Sequence, residues 1–158
     1  YCPGCGGGAG NQSCAIAKCS LEHGGVPFCW ECPAYPCSRY DGFDGGDSFV
    51  PHRNRRQDIA RARAVGLDAY LAQLEEKRTI LEELLAHCND GRRKTLFSTS
   101  VYLLPLEDLR AVMAALDRRP ELAEQPVKER ALAAVERLRE AADRRGVSLT
   151  LNKKPKKG

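Results

Sequence analysis

The chain has 158 residues, with 25 basic and 21 acidic side chains and a net charge of +4. This length excludes two full-sized domains and leaves one compact domain, or a small domain joined to a still smaller module. The mixture of charges excludes one strong electrostatic field over the surface. No run approaches the roughly 18 consecutive apolar residues of a membrane span, so we predict a soluble protein without a membrane partner.

Cysteines are concentrated at the start of the chain. Seven of the eight lie in the first quarter: Cys2, Cys5, Cys14, Cys19, Cys29, Cys32 and Cys37. The same segment has too few sizeable apolar side chains to offset the conformational entropy that folding removes. We therefore predict a small cysteine-rich, metal-stapled module over residues 1–40, with all seven thiols as candidate metal ligands.

The spacing of these cysteines favours zinc as the cofactor. Cys2 with Cys5, and Cys29 with Cys32, are each separated by two residues, which lets both thiolates of a tight turn reach one ion. A disulfide framework is typical of small secreted domains, whereas this chain continues into a long helix-patterned sequence. An iron–sulfur cluster is the alternative cofactor, although the bacterial ferredoxin spacing is absent. Reduced thiols predict a cytoplasmic location.

The division of the ligands among ions stays open. Seven thiolates do not make two four-ligand sites, so one ion takes four of them, or a histidine or an upstream residue supplies an eighth ligand. His23, between Cys19 and Cys29, is a candidate, whereas His52 lies among arginines that disfavour a cation. Two sets of four fit equally: Cys2, Cys5, Cys29 and Cys32, or Cys14, Cys19, Cys29 and Cys32.

A longer pattern covers the same segment. It consists of Cys14 and Cys19 with four residues between them, a Gly24-Gly25 loop, and the run Phe28-Cys29-Trp30-Glu31-Cys32-Pro33-Ala34-Tyr35-Pro36-Cys37. In this order of motifs, residues 1 to about 40 resemble the family called domain of unknown function 3795. The resemblance implies a metal-binding role and supplies no reaction.

The remainder is predicted to be a loop or linker at residues 41–56, a mainly α-helical domain with little β at 57–152, and a basic tail at 153–158. The first apolar stripe of the helical domain predicts one long helix that ends at Asn89-Asp90-Gly91. This stripe comprises Leu67, Leu71, Leu74, Leu81, Leu85 and Cys88. We interpret Cys88 as a small buried side chain, because it shares the apolar face.

Further signals predict the later elements. Residues 95–104 fit a strand or a short buried helix, and we favour the helix. Pro105 and Pro126 each suit the start of a helix, and Gly146 suits the end of the second one. The last apolar residues alternate with polar ones and predict a short strand: Val147, Leu149 and Leu151.

Two basic groups bear on possible partners: Arg53, Arg55, Arg56, Arg61 and Arg63 after the module, and Lys153, Lys154, Lys156 and Lys157 at the end. Such groups neutralise phosphates in nucleic-acid-binding proteins. We favour a solvated helix face, because no aromatic side chain is interleaved with the arginines.

The sequence contains no convergent set of acid, base and nucleophile, and no phosphate-binding loop. We therefore predict a structural-zinc protein that acts as a binding or interaction module, and we favour a protein partner and a non-enzymatic role. The alternatives are an iron–sulfur or open-site metal enzyme or metallochaperone, and a nucleic-acid-binding zinc-knuckle protein.

Overall fold

The structure, a computed structural model, describes residues 15–42, 45–47 and 50–153. It divides into two compact units, Tyr1–Asp44, here called the cysteine unit, and Gly45–Gly158, the helical unit. In these described ranges every regular element is a helix and no strand is present. No helix in them is both long and apolar enough to cross a membrane. The prediction of a mainly α-helical fold is confirmed.

The described part of the cysteine unit contains one short helix and two turns. Helix α1 spans Ala15–Glu22, and single 3-10 turns follow at Cys29–Glu31 and Ser38–Tyr40. Gly24 and Gly25 connect them with φ angles of 85° and 72°, which a residue with a Cβ rarely adopts. Of the described side chains in this unit only Tyr40 is buried, so these residues form no hydrophobic core.

The helical unit has five α-helices in its described residues. They are α2 (Arg55–Val65), α3 (Leu67–His87), α4 (Lys94–Leu103), α5 (Leu106–Asp117) and α6 (Val127–Arg145). Helix α3 packs against each of the other four, and α6 packs against α4 and α5. The prolines directly before α5 and α6, and the left-handed Gly146 after α6, confirm the predicted helix boundaries to within one residue.

Helix α4 contributes the largest fully buried side chain to this packing. Its Phe97 is wholly buried among Leu84 of α3, Leu109 of α5 and Leu138 of α6 in one apolar cluster. Each such side chain contributes about 1.5–3 kcal/mol when it is removed from water. Small side chains on α6 permit close approach of its neighbours, and all are buried: Ala131, Ala134, Ala141 and Ala142. The helical prediction for residues 95–104 is therefore confirmed.

The predicted long helix that ends before Asn89 is confirmed as α3, although part of its predicted stripe is exposed. Gly66 has a φ of 85° and separates α2 from α3, because this backbone conformation cannot continue a right-handed helix. In α3 the buried positions are Ile80 and Leu84, whereas Leu71 and Leu74 are 51% and 42% exposed. The beginning of α3 lies beside α2, which buries only an alanine, so its leucines do not reach the core.

The predicted strand after α6 is wrong. Residues 147–153 have no regular secondary structure and pair with no strand in the described chain. The alternating pattern reports burial instead, because Val147, Leu149 and Leu151 are half-buried and the residues between them are exposed. What holds this segment is a hydrogen-bonded connection to Asp47, through the backbone of Asn152.

Asp47 organises the polar contacts of that connection. Its carboxylate accepts hydrogen bonds from the backbone N–H of Asn152 at 2.7 Å, from the backbone N–H of His52 at 2.7 Å and from Arg53 Nη1 at 2.8 Å. Arg53 also donates to the carbonyl of Ser148. Burial alone raises the pKa of Asp47, but the donors outweigh it and hold the pKa below its ordinary value.

Arg130 connects two other segments of the helical unit. Its Nε donates to the carbonyl of His87 at the end of α3, at 2.7 Å. Its Nη1 donates to the carbonyls of Ala123 and Gln125, just before α6, each at 3.0 Å. One guanidinium thus satisfies three backbone acceptors that no helix supplies with donors.

We predict that Asp47→Asn lowers the free energy of unfolding by about 2 kcal/mol at neutral pH, because hydrogen bonds to a charged group contribute about 1.5–3 kcal/mol. Urea unfolding followed by circular dichroism measures this change. Asp117→Asn, at an exposed carboxylate that ends α5, is the matched control and should change little.

The wild-type protein and the Asp47→Asn variant also test how the stability depends on pH. Since the folded-state pKa of Asp47 is lowered, its stabilisation is complete above the unfolded-state pKa of about 3.9 and is lost as pH falls through the folded-state value. The stability difference between the wild type and Asp47→Asn should therefore shrink below about pH 4. An equal difference at neutral and strongly acidic pH would contradict this assignment.

Candidate metal centre

Four of the predicted ligand thiols line one small cavity in the cysteine unit: Cys19, Cys29, Cys32 and Cys37. The cavity measures about 30 Å³, which is enough for a single water-sized guest. His23 lines the same cavity. The other three predicted ligands, Cys2, Cys5 and Cys14, lie outside the described residues.

A tight turn positions Cys29 and Cys32. The backbone N–H of Cys32 donates to the carbonyl of Cys29 at 3.1 Å, and that of Glu31 donates to Phe28 at 3.0 Å. Two residues are therefore enough to bring both side chains to one cavity wall, as the spacing predicts. The rings of Phe28 and Trp30 stack beside the turn, with centroids 4.3 Å apart and planes 1° from parallel.

Helix α1 positions Cys19 and His23. The Nδ1 atom of His23 lies 2.9 Å from the carbonyl oxygen of Cys19 and 3.6 Å from its sulfur. A carbonyl oxygen can only accept, so Nδ1 carries the proton and Nε2 keeps its lone pair in the neutral ring. This hydrogen bond is of the kind that orients imidazole ligands in metal sites. The structure thus brings the candidate histidine to the cavity with a nitrogen available for a cation.

Aromatic side chains form part of the wall. The rings of Tyr35 and Tyr40 meet edge to face, with centroids 5.5 Å apart. Burial raises the pKa of Tyr40, and the hydrogen bond with the side chain of Cys29 raises it further. Tyr40 therefore stays protonated at neutral pH and can donate its O–H to the sulfur. From the sequence Tyr40 counts only as an apolar group, and nothing in its spacing identifies its contact with Cys29.

The donor chemistry of the cavity fits a soft divalent metal ion. Thiolates and a neutral imidazole are the ligands that zinc prefers, and thiolates also bind iron–sulfur clusters. Among the residues that the structure describes, no three cysteine, histidine, aspartate or glutamate side chains converge closely enough to hold one ion together. A closed ligand set therefore requires a smaller separation of these side chains or a contribution from the remaining cysteines.

Cys88 does not belong to this site. It lies in the helical unit, directly after α3, and is half-buried against the apolar cluster. Burial raises the pKa of its thiol, which disfavours the thiolate that a metal ligand or nucleophile needs. These contacts agree with its interpretation as a packing residue.

Members of the arginine group considered for nucleic-acid binding have contacts within the helical unit. Arg53 pairs with Asp47, and its side chain is only 21% exposed. The Nε atom of Arg61 donates to Gln73 at 2.7 Å. The guanidinium of Arg53 is therefore already engaged in a contact that stabilises the helical unit. Of the C-terminal lysines only Lys153 is described, and it is exposed.

Comparison with known proteins identifies the cysteine unit alone. Residues 1–42 match the model of the family described as "Protein of unknown function (DUF3795)". The match confirms the resemblance predicted from the motifs and lies within that unit. No curated protein and no solved structure matches the chain.

We predict that neutral His23 carries its proton on Nδ1, because only a protonated Nδ1 can donate to the Cys19 carbonyl. Long-range ¹H–¹⁵N correlation of the imidazole rings in the full chain should show Nδ1 as the protonated nitrogen and Nε2 as the unprotonated one. His87, exposed at the end of α3, is the internal comparison. Protonation of His23 at Nε2 would disprove the proposed orientation of the ring.

Proposed function

We propose that the cysteine unit is a zinc-binding module, in which the ion replaces the hydrophobic core that its described residues lack. The observation that carries the proposal is the position of four thiols and one imidazole around a single cavity. A comparison of folding free energies supports the proposal. Burial of Tyr40 contributes about 1.5–3 kcal/mol, whereas structural zinc in small modules contributes about 10–16 kcal/mol of folding free energy.

Cys29 and Cys32 are the proposed first pair of ligands, because their turn already directs both thiols to the cavity. Cys19, Cys37 and Nε2 of His23 are the candidates that complete the set on the described side. When bound, zinc supplies a cross-link between helix α1 and the two turns that follow it. The protein's own contribution is to orient His23 through the Cys19 carbonyl and to donate a hydrogen bond from Tyr40 to the sulfur of Cys29.

A zinc ion with four protein ligands is a structural site, and such modules act by presenting a surface to a partner. We therefore propose a binding or interaction module that recognises a protein partner in the cytoplasm. The described cysteines are free thiols, which suits a reducing compartment. An open-site enzyme or metallochaperone would instead keep three protein ligands and one exchangeable position.

Elemental analysis of the purified full chain, combined with its visible absorption, tests the cofactor. Zinc is expected without visible colour, at one or two ions per chain, since seven thiols and one imidazole limit the number of four-ligand sites. Iron with acid-labile sulfide and visible absorption would replace the zinc proposal with an iron–sulfur module. Absence of any tightly bound metal from protein purified without chelators would refute both.

We predict that Cys29→Ser and Cys32→Ser each lose zinc and unfold the cysteine unit, while the helical signal in circular dichroism changes little. Trp30, the only tryptophan of the chain, lies between these cysteines and reports on this unit through its fluorescence. Its emission should shift to longer wavelength in both variants as the ring becomes solvated. Unchanged zinc stoichiometry in both variants would remove this pair from the ligand set.

Cys88→Ala is the matched control, because it removes a cysteine from the helical unit. It should keep all of the zinc and leave the Trp30 emission unchanged. It should lower the free energy of unfolding by about 1 kcal/mol, since one small, half-buried side chain is lost from the edge of the apolar cluster. Urea unfolding measures the stability, and loss of a zinc equivalent would show that Cys88 is a ligand.

A further inference from the structure

A larger cavity opens in the helical unit, and it is lined by helices α2, α3 and α4 and by Leu106 at the start of α5. Its volume is about 340 Å³, within the range of small-molecule sites. Ionisable and hydroxyl groups form one part of its lining: Asp58, Arg61, Tyr70, Lys77 and Tyr102. Apolar side chains form the other: Leu74, Leu81, Val101 and Leu106. This α2–α4 cavity thus combines hydrogen-bonding groups with an apolar surface.

Among the described residues that line the cavity, Asp58 is the only carboxylate, and it already accepts hydrogen bonds. Asp58 accepts a hydrogen bond from Asn54 Nδ2 at 3.2 Å and another from the hydroxyl of Tyr70. Lys77 is its strongest electrostatic partner. Burial nevertheless raises the pKa of Asp58. Part of the accepting capacity of Asp58 is therefore used within the protein.

The cationic groups, by contrast, retain donors. The Nζ atom of Lys77 donates to the carbonyl of Leu104 at 2.7 Å, and an ammonium has two further N–H bonds. Arg61 uses its Nε for Gln73, and a guanidinium has four further N–H bonds. Arg78 also lines the cavity but forms ion pairs with two glutamates of its own helix. Lys77 and Arg61 together outweigh the single negative charge of Asp58.

The apolar part of the lining favours a ligand that also has an apolar surface. Leu74 is 42% exposed at this site although it is a large aliphatic side chain. Leu106 is buried, so the apolar surface runs from the exposed α3 position towards the core. A guest with an apolar body would cover Leu74 and contact Leu81 and Val101, and this burial would favour its binding.

We propose that the α2–α4 cavity binds a small carboxylate with an apolar body. The carboxylate oxygens accept charge-assisted hydrogen bonds from Lys77 and Arg61, and the body lies on the leucine and valine side chains. The proposal concerns the helical unit alone and does not depend on metal binding by the cysteine unit.

A purely structural role for these groups is the competing explanation. Asp58, Tyr70 and Lys77 would then only connect α2 to α3 and α4. The two explanations differ in their response to charge on a ligand, because a structural clamp does not distinguish a carboxylate from an amide of the same shape. Benzoate is a suitable probe, and benzamide is its neutral counterpart.

Titration of the ¹⁵N-labelled full chain with benzoate, followed by NMR, tests the proposal. Saturable shifts are expected at the cavity-lining residues of α3 and α4, with a dissociation constant in about the millimolar range for so small a ligand. Benzamide should bind about tenfold more weakly, because it lacks the charge. Absence of saturable shifts, or equal affinity for the two probes, would overturn the proposal.

Variants of Lys77 and Arg61 test whether these two side chains bind the carboxylate of benzoate. Lys77→Met should weaken benzoate about tenfold and leave benzamide unchanged, whereas Lys128→Met, at an exposed lysine of α6, should leave both unchanged. If Lys77→Met does not fold, Arg61→Gln decides the question, because this side chain is exposed and its loss spares the core. Arg61→Gln should weaken benzoate about threefold or more. Benzoate affinity that survives both changes would show that the cations do not bind the carboxylate.

Discussion

Ordering a polypeptide costs about 1–2 kcal/mol of backbone entropy per residue, and only buried surface or a cross-link offsets this cost. The helical unit meets this constraint with a core in which Phe97, Leu104 and Leu138 are completely removed from solvent. The described residues of the cysteine unit bury Tyr40 alone. Four described cysteines and His23 line a cavity in this unit, where a hydrophobic core would otherwise lie.

Polar groups in both units are placed by contacts that leave a specific atom available. Donation from His23 to the Cys19 carbonyl requires the proton on Nδ1, and the lone pair of Nε2 is then unused. In the helical unit the Leu104 carbonyl takes one proton of Lys77 and leaves two for another acceptor. In each case a backbone acceptor orients a side chain that an unconstrained chain would leave mobile, which lowers the entropy lost on binding.

The sequence predicts those features that depend on local chemistry. Pro105, Pro126 and Gly146 mark helix ends because their own backbone preferences determine the conformation, and the two-residue spacing of Cys29 and Cys32 determines a turn. The exposure of Leu71 and Leu74 escapes prediction, because spacing indicates which side chains share a helix face and not which neighbour covers that face. The anchoring of Asn152 by Asp47 escapes it as well, since the two residues are 105 positions apart. Alternation after residue 146 indicates which side chains face inward and does not indicate a pairing partner.

The contacts of Arg130 limit which amino-acid substitutions the chain tolerates at this position. Most arginines of α6 are interchangeable with lysine, because an exposed ion pair such as that of Arg137 with Glu140 needs only a positive charge. Arg130 reaches three carbonyls from two segments with one planar group, and a lysine ammonium at the same position cannot span them. A substitution that is neutral one or two turns along the same helix would here separate the end of α3 from the start of α6. Mutational drift of the helical unit is therefore restricted at a position that neither its charge nor its partial exposure distinguishes from its neighbours.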